Sequence, residues 1–221
     1  MNAAALLHLL QFASPALPIG GYSYSQGLET AIERGLVVDA ASARAWIAAY
    51  LALVMARWDG PLLWRLMRAF AAGDMATVAL WSERFIASRD CAELRAETIQ
   101  MGYSLTRLLD ELALGAVARL GAEVSLPTAF ACAVDALAID HGDALVASLF
   151  AWAENQVLVC VKSVPLGQVA GQRLLLSLAP DIEAAAAVAR SLADEEMSNW
   201  APGLSILSMQ HEVQHGRLYR S

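Results

Sequence analysis

The chain has 221 residues, 57% of them hydrophobic and only 17% charged, with 22 acidic against 15 basic side chains and a formal net charge of −7. That acidic balance argues against nucleic acid and anionic membrane surfaces as partners, since both reward clustered Lys and Arg, and it points to proteins instead. The length suits one large domain, no linker-like stretch divides it, and so few charges leave apolar surface for subunit contacts, which predicts an oligomer.

Helical signals follow one another along the chain with little relief. An apolar segment from Ala3 to Phe12 opens the series; it has no basic leader and is interrupted by His8 and Gln11, unlike a secretory signal. The next segment, Pro18-Ile-Gly-Gly-Tyr-Ser-Tyr-Ser-Gln-Gly-Leu-Glu29, carries glycines, hydroxyls and tyrosines where a plain core helix would carry Leu and Ala. Pro18 with Gly20 and Gly21 predicts a tight turn into a helix from about Tyr22 to Arg34, with Ser23 and Gln26 at capping-box spacing and Gly35 as the stop. Asp39 or Ser42 caps a long helix containing Trp46, Ile47, Tyr50, Leu51, Val54 and Trp58. Its apolar run, Ala45 to Ala56, is too short to span a bilayer and reads as buried.

Gly60-Pro61 ends that helix in this reading; Pro61 opens the next, which stops at Gly73, and Asp74 caps its successor. Further helices are read from about Cys91 to Leu114, Thr128 to Ile139, Asp143 to Val164, Leu166 to Leu178 and Asp181 to Glu196. The last, with Glu183-Ala-Ala-Ala-Ala187, reads as solvated or mobile. Val157 to Val161 is the best strand candidate, yet it continues a helical pattern through Leu149, Trp152 and Gln156. The fold class is therefore all-α, a single-domain irregular orthogonal bundle of roughly ten helices. Cys91, Cys132 and Cys160, odd in number and scattered, read as core thiols of a cytoplasmic protein.

Chemistry-bearing patterns are few. His211-Glu-Val-Gln-His215 matches H-E-x-x-H, in which two histidines one helical turn apart bind zinc and the glutamate activates water. Such a site also needs a third protein ligand and a cleft; His8 and His141 are distant in sequence, which leaves a carboxylate from elsewhere, so the plain reading is a polar helix end or tail, and no metal site is expected. Asp194-Glu195-Glu196 reads as a solvated acidic run. Ser23 and Ser25 lack a nucleophile elbow, and Gly20-Gly21 lacks P-loop spacing, so neither a catalytic residue nor a cofactor is assigned. Lys162 is the only lysine. It stands among valines, either snorkelling to water or meeting a partner. Arg217, Tyr219 and Arg220 form a C-terminal group that is frayed in the ordinary reading and an interface anchor in the other.

Four patches resemble the urease accessory protein UreF family: Ser14 to Glu29, the Arg89 to Arg95 region with Glu93-Leu-Arg95, Val161 to Gln168, and Ser208-Met-Gln-His-Glu212 with Arg217-Leu-Tyr-Arg-Ser221. His215 departs from the family pattern. The resemblance implies an all-α homodimer without catalytic activity that binds UreD (UreH in some organisms), recruits the GTPase UreG and supports nickel insertion into apo-urease. It assigns Tyr22, Ser23, Gln26, Glu29 and Lys162 to a face toward UreG or to activation control. Ser208, Met209, His211, Glu212, Arg217, Tyr219 and Arg220 are assigned to a tail, from about residue 205, facing UreD. On that basis, removing Met209 to Ser221 should leave the fold nearly intact. Two further classes stay open: a GTPase-activating protein supplying an arginine, and a zinc hydrolase built on His211, Glu212 and His215.

Overall fold

The computed structural model describes residues 2–115 and 117–221. Helix α1 (Ala3–Phe12) starts where Asn2 caps it, its side chain accepting from the Ala5 N–H at 2.8 Å. The helix expected from Tyr22 starts later. Gly20 is left-handed, Gly21–Ser23 make one 3-10 turn, and Gln26 and Gly27 take φ of +55° and +82° before α2 (Leu28–Glu33) begins. The proposed Ser23–Gln26 capping box is thus replaced by a turn, because the Gln26 side chain is engaged elsewhere. Gly35, at φ +71°, follows α2 as its stop.

Asp39 and Ser42 form a reciprocal capping box for α3 (Ala40–Tyr50), with Ser42 N–H to Asp39 Oδ1 at 2.8 Å and Asp39 N–H to Ser42 Oγ at 3.1 Å. Gly60-Pro61 does not end this run. The helix widens into a π-helical segment, Leu51–Asp59, and passes straight into α4 (Gly60–Ala71). The reason is local: Pro61 cannot donate back to the carbonyl one turn earlier, and the Arg57 carbonyl so released accepts from the Ser198 N–H at 3.1 Å. Gly60 closes the wide turn by donating to the Met55 carbonyl, where a Cβ would lie 2.5 Å from that oxygen.

Asp74 caps α5 (Met75–Ala87) through the Thr77 N–H. Helices α6 (Ala92–Glu111), α7 (Leu126–Ala136), α8 (His141–Ser163), α9 (Gln168–Ser177), α10 (Ala179–Ser191) and α11 (Pro202–His211) follow. The chain is all-helical among the described residues, and Val157 to Val161 lies inside α8. Helices α6 and α7 meet at Gly102, where a Cβ would stand 2.0 Å from the Val124 carbonyl oxygen.

Helix α8 runs through the middle, touching α1, α2, α3, α4, α9 and α10. By length and composition it is apolar enough to cross a membrane. Here Leu145, Leu149, Ala153, Gln156 and Cys160 are all essentially inaccessible, which is a core helix's pattern. Helix α10 contradicts its reading as solvated or mobile. It packs on the π-helical segment, α4 and α8, burying Ile182, Ala185, Ala186 and Ala189. Its run of small side chains lets two helices approach closely, a contact that composition alone mistakes for a weak helix. Asp194–Glu196 form a separate 3-10 turn in which Asp194 pairs with Arg65. All three cysteines are buried, and burial pushes the Cys160 thiol up to about 12. The buried apolar cluster is continuous from Leu9 to Tyr219, so the C-terminal segment belongs to it.

A C-terminal segment docked on the N-terminal signature

Two left-handed residues in succession set the geometry. Gly27 brings α2 against α11: a Cβ there would stand 2.7 Å from Ser208 Oγ and 3.1 Å from its backbone nitrogen. Gln26 has no such excuse for φ +55°, and its side chain supplies one. Gln26 Nε2 donates to Glu97 Oε1 at 2.6 Å, and Gln26 Oε1 accepts from Trp152 Nε1 at 2.7 Å. These two bonds, from α6 and α8, offset a backbone cost of about 1 kcal/mol or more. The turn is held from the other side by Asn155, which donates to the Tyr24 carbonyl at 2.9 Å.

The C-terminal residues lie along this turn. Ser25 N–H and Gln26 N–H donate to the Ser221 carbonyl oxygen at 2.7 and 3.1 Å, Ser25 Oγ donates to the same atom at 2.5 Å, and Arg220 N–H donates to the Ser23 carbonyl at 2.8 Å. Glu29, buried on α2, receives the next two amides: Leu218 N–H at 2.6 Å on Oε1 and Tyr219 N–H at 3.1 Å on Oε2. Ser221 Oγ donates to Glu97 Oε2 at 2.6 Å. The acid on α2 thus satisfies backbone amides that have no helix of their own, and the acid on α6 anchors the Ser221 and Gln26 side chains.

His211 joins the two helices. It is wholly buried, with Nε2 2.9 Å from Glu29 Oε2 and Nδ1 2.6 Å from Glu93 Oε2. Both ring nitrogens of the buried imidazole are thus engaged, one by a carboxylate of α2 and one by a carboxylate of α6. Arg217 adds a guanidinium on Glu93. Two carboxylates, an imidazole and a guanidinium therefore share one partly buried network. Glu212 caps the start of α6, accepting from Ala92 N–H at 2.7 Å, and Thr30 donates to Gln214 at 2.9 Å.

Behind the turn lies a cavity of about 210 Å³, between the signature, α4, α6, α7 and α8. Its walls are mainly apolar. Its charged groups are already engaged: Arg89 makes a two-pronged pair with Asp59, at 2.8 and 3.2 Å, and Glu97 holds Gln26 and Ser221. Burial pushes the Glu97 carboxyl up to about 7, against the opposing pull of its bonds from Ser221 and Gln26 and of the nearby Arg89 charge. Burial likewise raises the phenols of Tyr24 and Tyr219.

The structure brings together both groups of residues that the sequence had assigned to separate faces. Glu29, Gln26 and Ser23 are in contact with residues 211–221, and Ser208 sits beneath Gly27. The C-terminal segment is docked on its own chain and is not a loose arm. Ser208, His211 and Tyr219 are buried, Glu212 and Arg217 are tied to α6, and Met209 and Arg220 are exposed, the Arg220 side chain reaching the Tyr24 hydroxyl. Tyr22 is 60% exposed. Lys162 stands apart, exposed in the last turn of α8. The zinc pattern is not realised: α11 ends at His211, both of whose nitrogens are taken, and His215 lies beyond it in an exposed turn.

Glu93, Glu97, Gln100, Trp152, Asn155 and Ser221 were not assigned as site residues from the sequence. A signal existed for three of them. Glu93, Glu97 and Gln100, at spacings of four and three, put acceptors on one face of α6, and all three receive groups from the signature or the C-terminal segment, Gln100 from the Tyr24 hydroxyl at 2.9 Å.

Fold and site together define a protein, all-helical among its described residues, whose acids, imidazole and arginine bind its own last turns over its first ones. The family model for UreF matches residues 37–179, and the chain belongs to the UreF family. It is 63% identical to the urease accessory protein UreF of Janthinobacterium sp. (strain Marseille) over the full length of both chains, and 57% identical to that of Nitrosospira multiformis over 98% of each. It is also 47% identical to the bifunctional urease accessory protein UreEF of Bordetella bronchiseptica, covering all of this chain and 53% of that protein.

Proposed function

We propose that the protein is an accessory factor of urease maturation, as the names of its relatives state for them, and that it acts as a helical adaptor without chemistry of its own. In this reading it works as a cytoplasmic homodimer that binds UreD (UreH), recruits the GTPase UreG, and supports nickel insertion into apo-urease. The observation that carries the adaptor role is the composite surface made when residues 211–221 lie on the signature. Tyr22, Met209, Val213 and Leu218 are 46–77% exposed on elements that are themselves pinned by the contacts of His211 and Arg217 with Glu29 and Glu93. Rigid apolar and aromatic side chains on a fixed frame are what partner recognition favours.

Co-purification with UreD and UreG, with and without a GTP analogue, tests this. Tyr22→Ala and Leu218→Asp should keep the helical circular dichroism of the parent and reduce capture by about tenfold or more. Unchanged capture by both would remove the composite surface from consideration. Lys162, exposed and outside any ion pair among the described residues, belongs to the same test, its alanine variant keeping the fold and lowering the yield of active urease.

One observation favours a second reading, in which the protein stimulates GTP hydrolysis by UreG. Arg220 is exposed, its backbone N–H held by the Ser23 carbonyl and its guanidinium on the Tyr24 hydroxyl, and release of that one contact would free it to act as an arginine finger. Single-turnover hydrolysis by UreG, with parent and with Arg220→Ala protein, separates the two: the adaptor reading expects equal rates.

A further inference from the structure

A second surface lies along α11. Between α3, the π-helical segment and the start of α11 runs an open groove of about 890 Å³. Its exposed walls are apolar: Leu36 is 58% accessible, Leu53 45%, Trp200 79% and Ile206 52%. Scattered single apolar residues are ordinary on a protein surface, whereas four large ones around one concavity are not.

The charge around this groove has the opposite sign to the molecule. No carboxylate lines it, and its charged wall residue is Arg34, exposed and outside any ion pair among the described residues. Arg57 extends the pattern. It follows Leu53 by four residues on the π-helical segment, is exposed, and has its carbonyl bonded to Ser198, two residues before Trp200, which places it at that end of the groove. Two unpaired guanidiniums beside an apolar trough, on a chain of net charge −7, select an occupant with acidic groups next to an apolar face. The concave shape also suits an inserted helix, since a membrane surface meets protruding residues.

We infer that this groove is a docking site for an acidic amphipathic helix of another protein, laid with its apolar face on Leu53, Trp200 and Ile206 and its carboxylates toward Arg34 and Arg57. The inference is independent of the composite surface and of the urease reading.

The probe is a fluorescent peptide of about 18 residues, apolar at i, i+3, i+4 and i+7 with flanking Glu, paired with a copy bearing Lys for Glu. Anisotropy should show saturable binding of the Glu peptide to the full chain, weakened by about tenfold or more in Leu53→Glu and, separately, in Trp200→Ser, whose side chain is so exposed that folding is unaffected. The double variant Arg34→Glu, Arg57→Glu should reverse the preference toward the Lys peptide. Absent binding, equal binding of both peptides, or indifference to these substitutions overturns the proposal. Binding to phosphatidylserine vesicles that is lost in Trp200→Ser, without peptide binding, would assign the groove to a membrane and overturn it too. So would self-association in sedimentation that the same substitutions abolish, which would assign it to a second copy of the chain.

Discussion

Glu97 is one carboxylate with three duties: it receives Gln26, receives Ser221, and stands within reach of the Arg89–Asp59 pair's field. Its raised pKa has a definite sign in stability. An acid that holds its proton more tightly when folded destabilises the folded state as pH rises from its ordinary 4.5 toward about 7, and the full cost is present above that. The cost is on the order of 3 kcal/mol for this buried group. Glu97→Gln keeps both contacts, since the amide oxygen accepts from Gln26 and the amide nitrogen donates to Ser221. The parent's thermal midpoint should therefore fall between pH 5 and pH 8 more than the variant's, with the variant the more stable at pH 8. Parallel melting curves for the two proteins, showing no such convergence at low pH, would refute the assignment. Nothing in the segment Ala92-Glu-Leu-Arg-Ala-Glu97 as a string distinguishes this acid from Glu93, which is paired with Arg217 and His211; only the packing of distant segments does.

Elements were legible to the extent that local signals set them. Asp39, Asp74 and Gly35 mark boundaries that the structure keeps, because capping and left-handed stops are chemistry among near neighbours. Two boundaries were misread for one shared reason. Gly60-Pro61 is an end signal whose missing hydrogen bond is supplied from Ser198, far along the chain, and Ser23–Gln26 is a cap signal whose side chain is claimed by Glu97 and Trp152. Helix α10 was misjudged because alanine is silent about burial. The structure makes a sharp statement about it: Ala186 is 2% accessible while Ala187 next to it is exposed. Ala186→Glu should cost about 3 kcal/mol or more in urea denaturation, by forcing an unpaired charge against the π-helical segment, α4 or α8, and Ala187→Glu should change stability by about 0.5 kcal/mol at most. Equal effects at the two positions would mean that α10 lies on the bundle differently.

At the scale of the molecule, the all-α class followed from helical periodicity, whereas the candidate site did not follow from any period. It is assembled by contacts between residues near 25, 95, 155 and 215, and the sequence offered its members as two unrelated groups. Their union alters one expectation. Removing 212–221 takes Tyr219 from the core, strips Glu29 of two amide donors and Glu93 of Arg217, and leaves buried carboxylates short of partners. The truncated chain should lose about 3 kcal/mol or more of stability, seen as a lower urea midpoint, in place of the nearly intact fold that the tail reading anticipated. A midpoint unchanged by truncation would show that the C-terminal segment is docked without being needed.

Docking of residues 217–221 onto 23–29 has a further meaning during biosynthesis. The partners Ser25 and Ser221 are 196 positions apart, so the signature waits for almost the whole chain to leave the ribosome before its turn is closed. Contacts of such long separation form last, after the local helices that must bring them together. Any surface built on the closed turn therefore exists only once both segments are folded together, so it reports on the tertiary fold as a whole and not on the local helices that precede it.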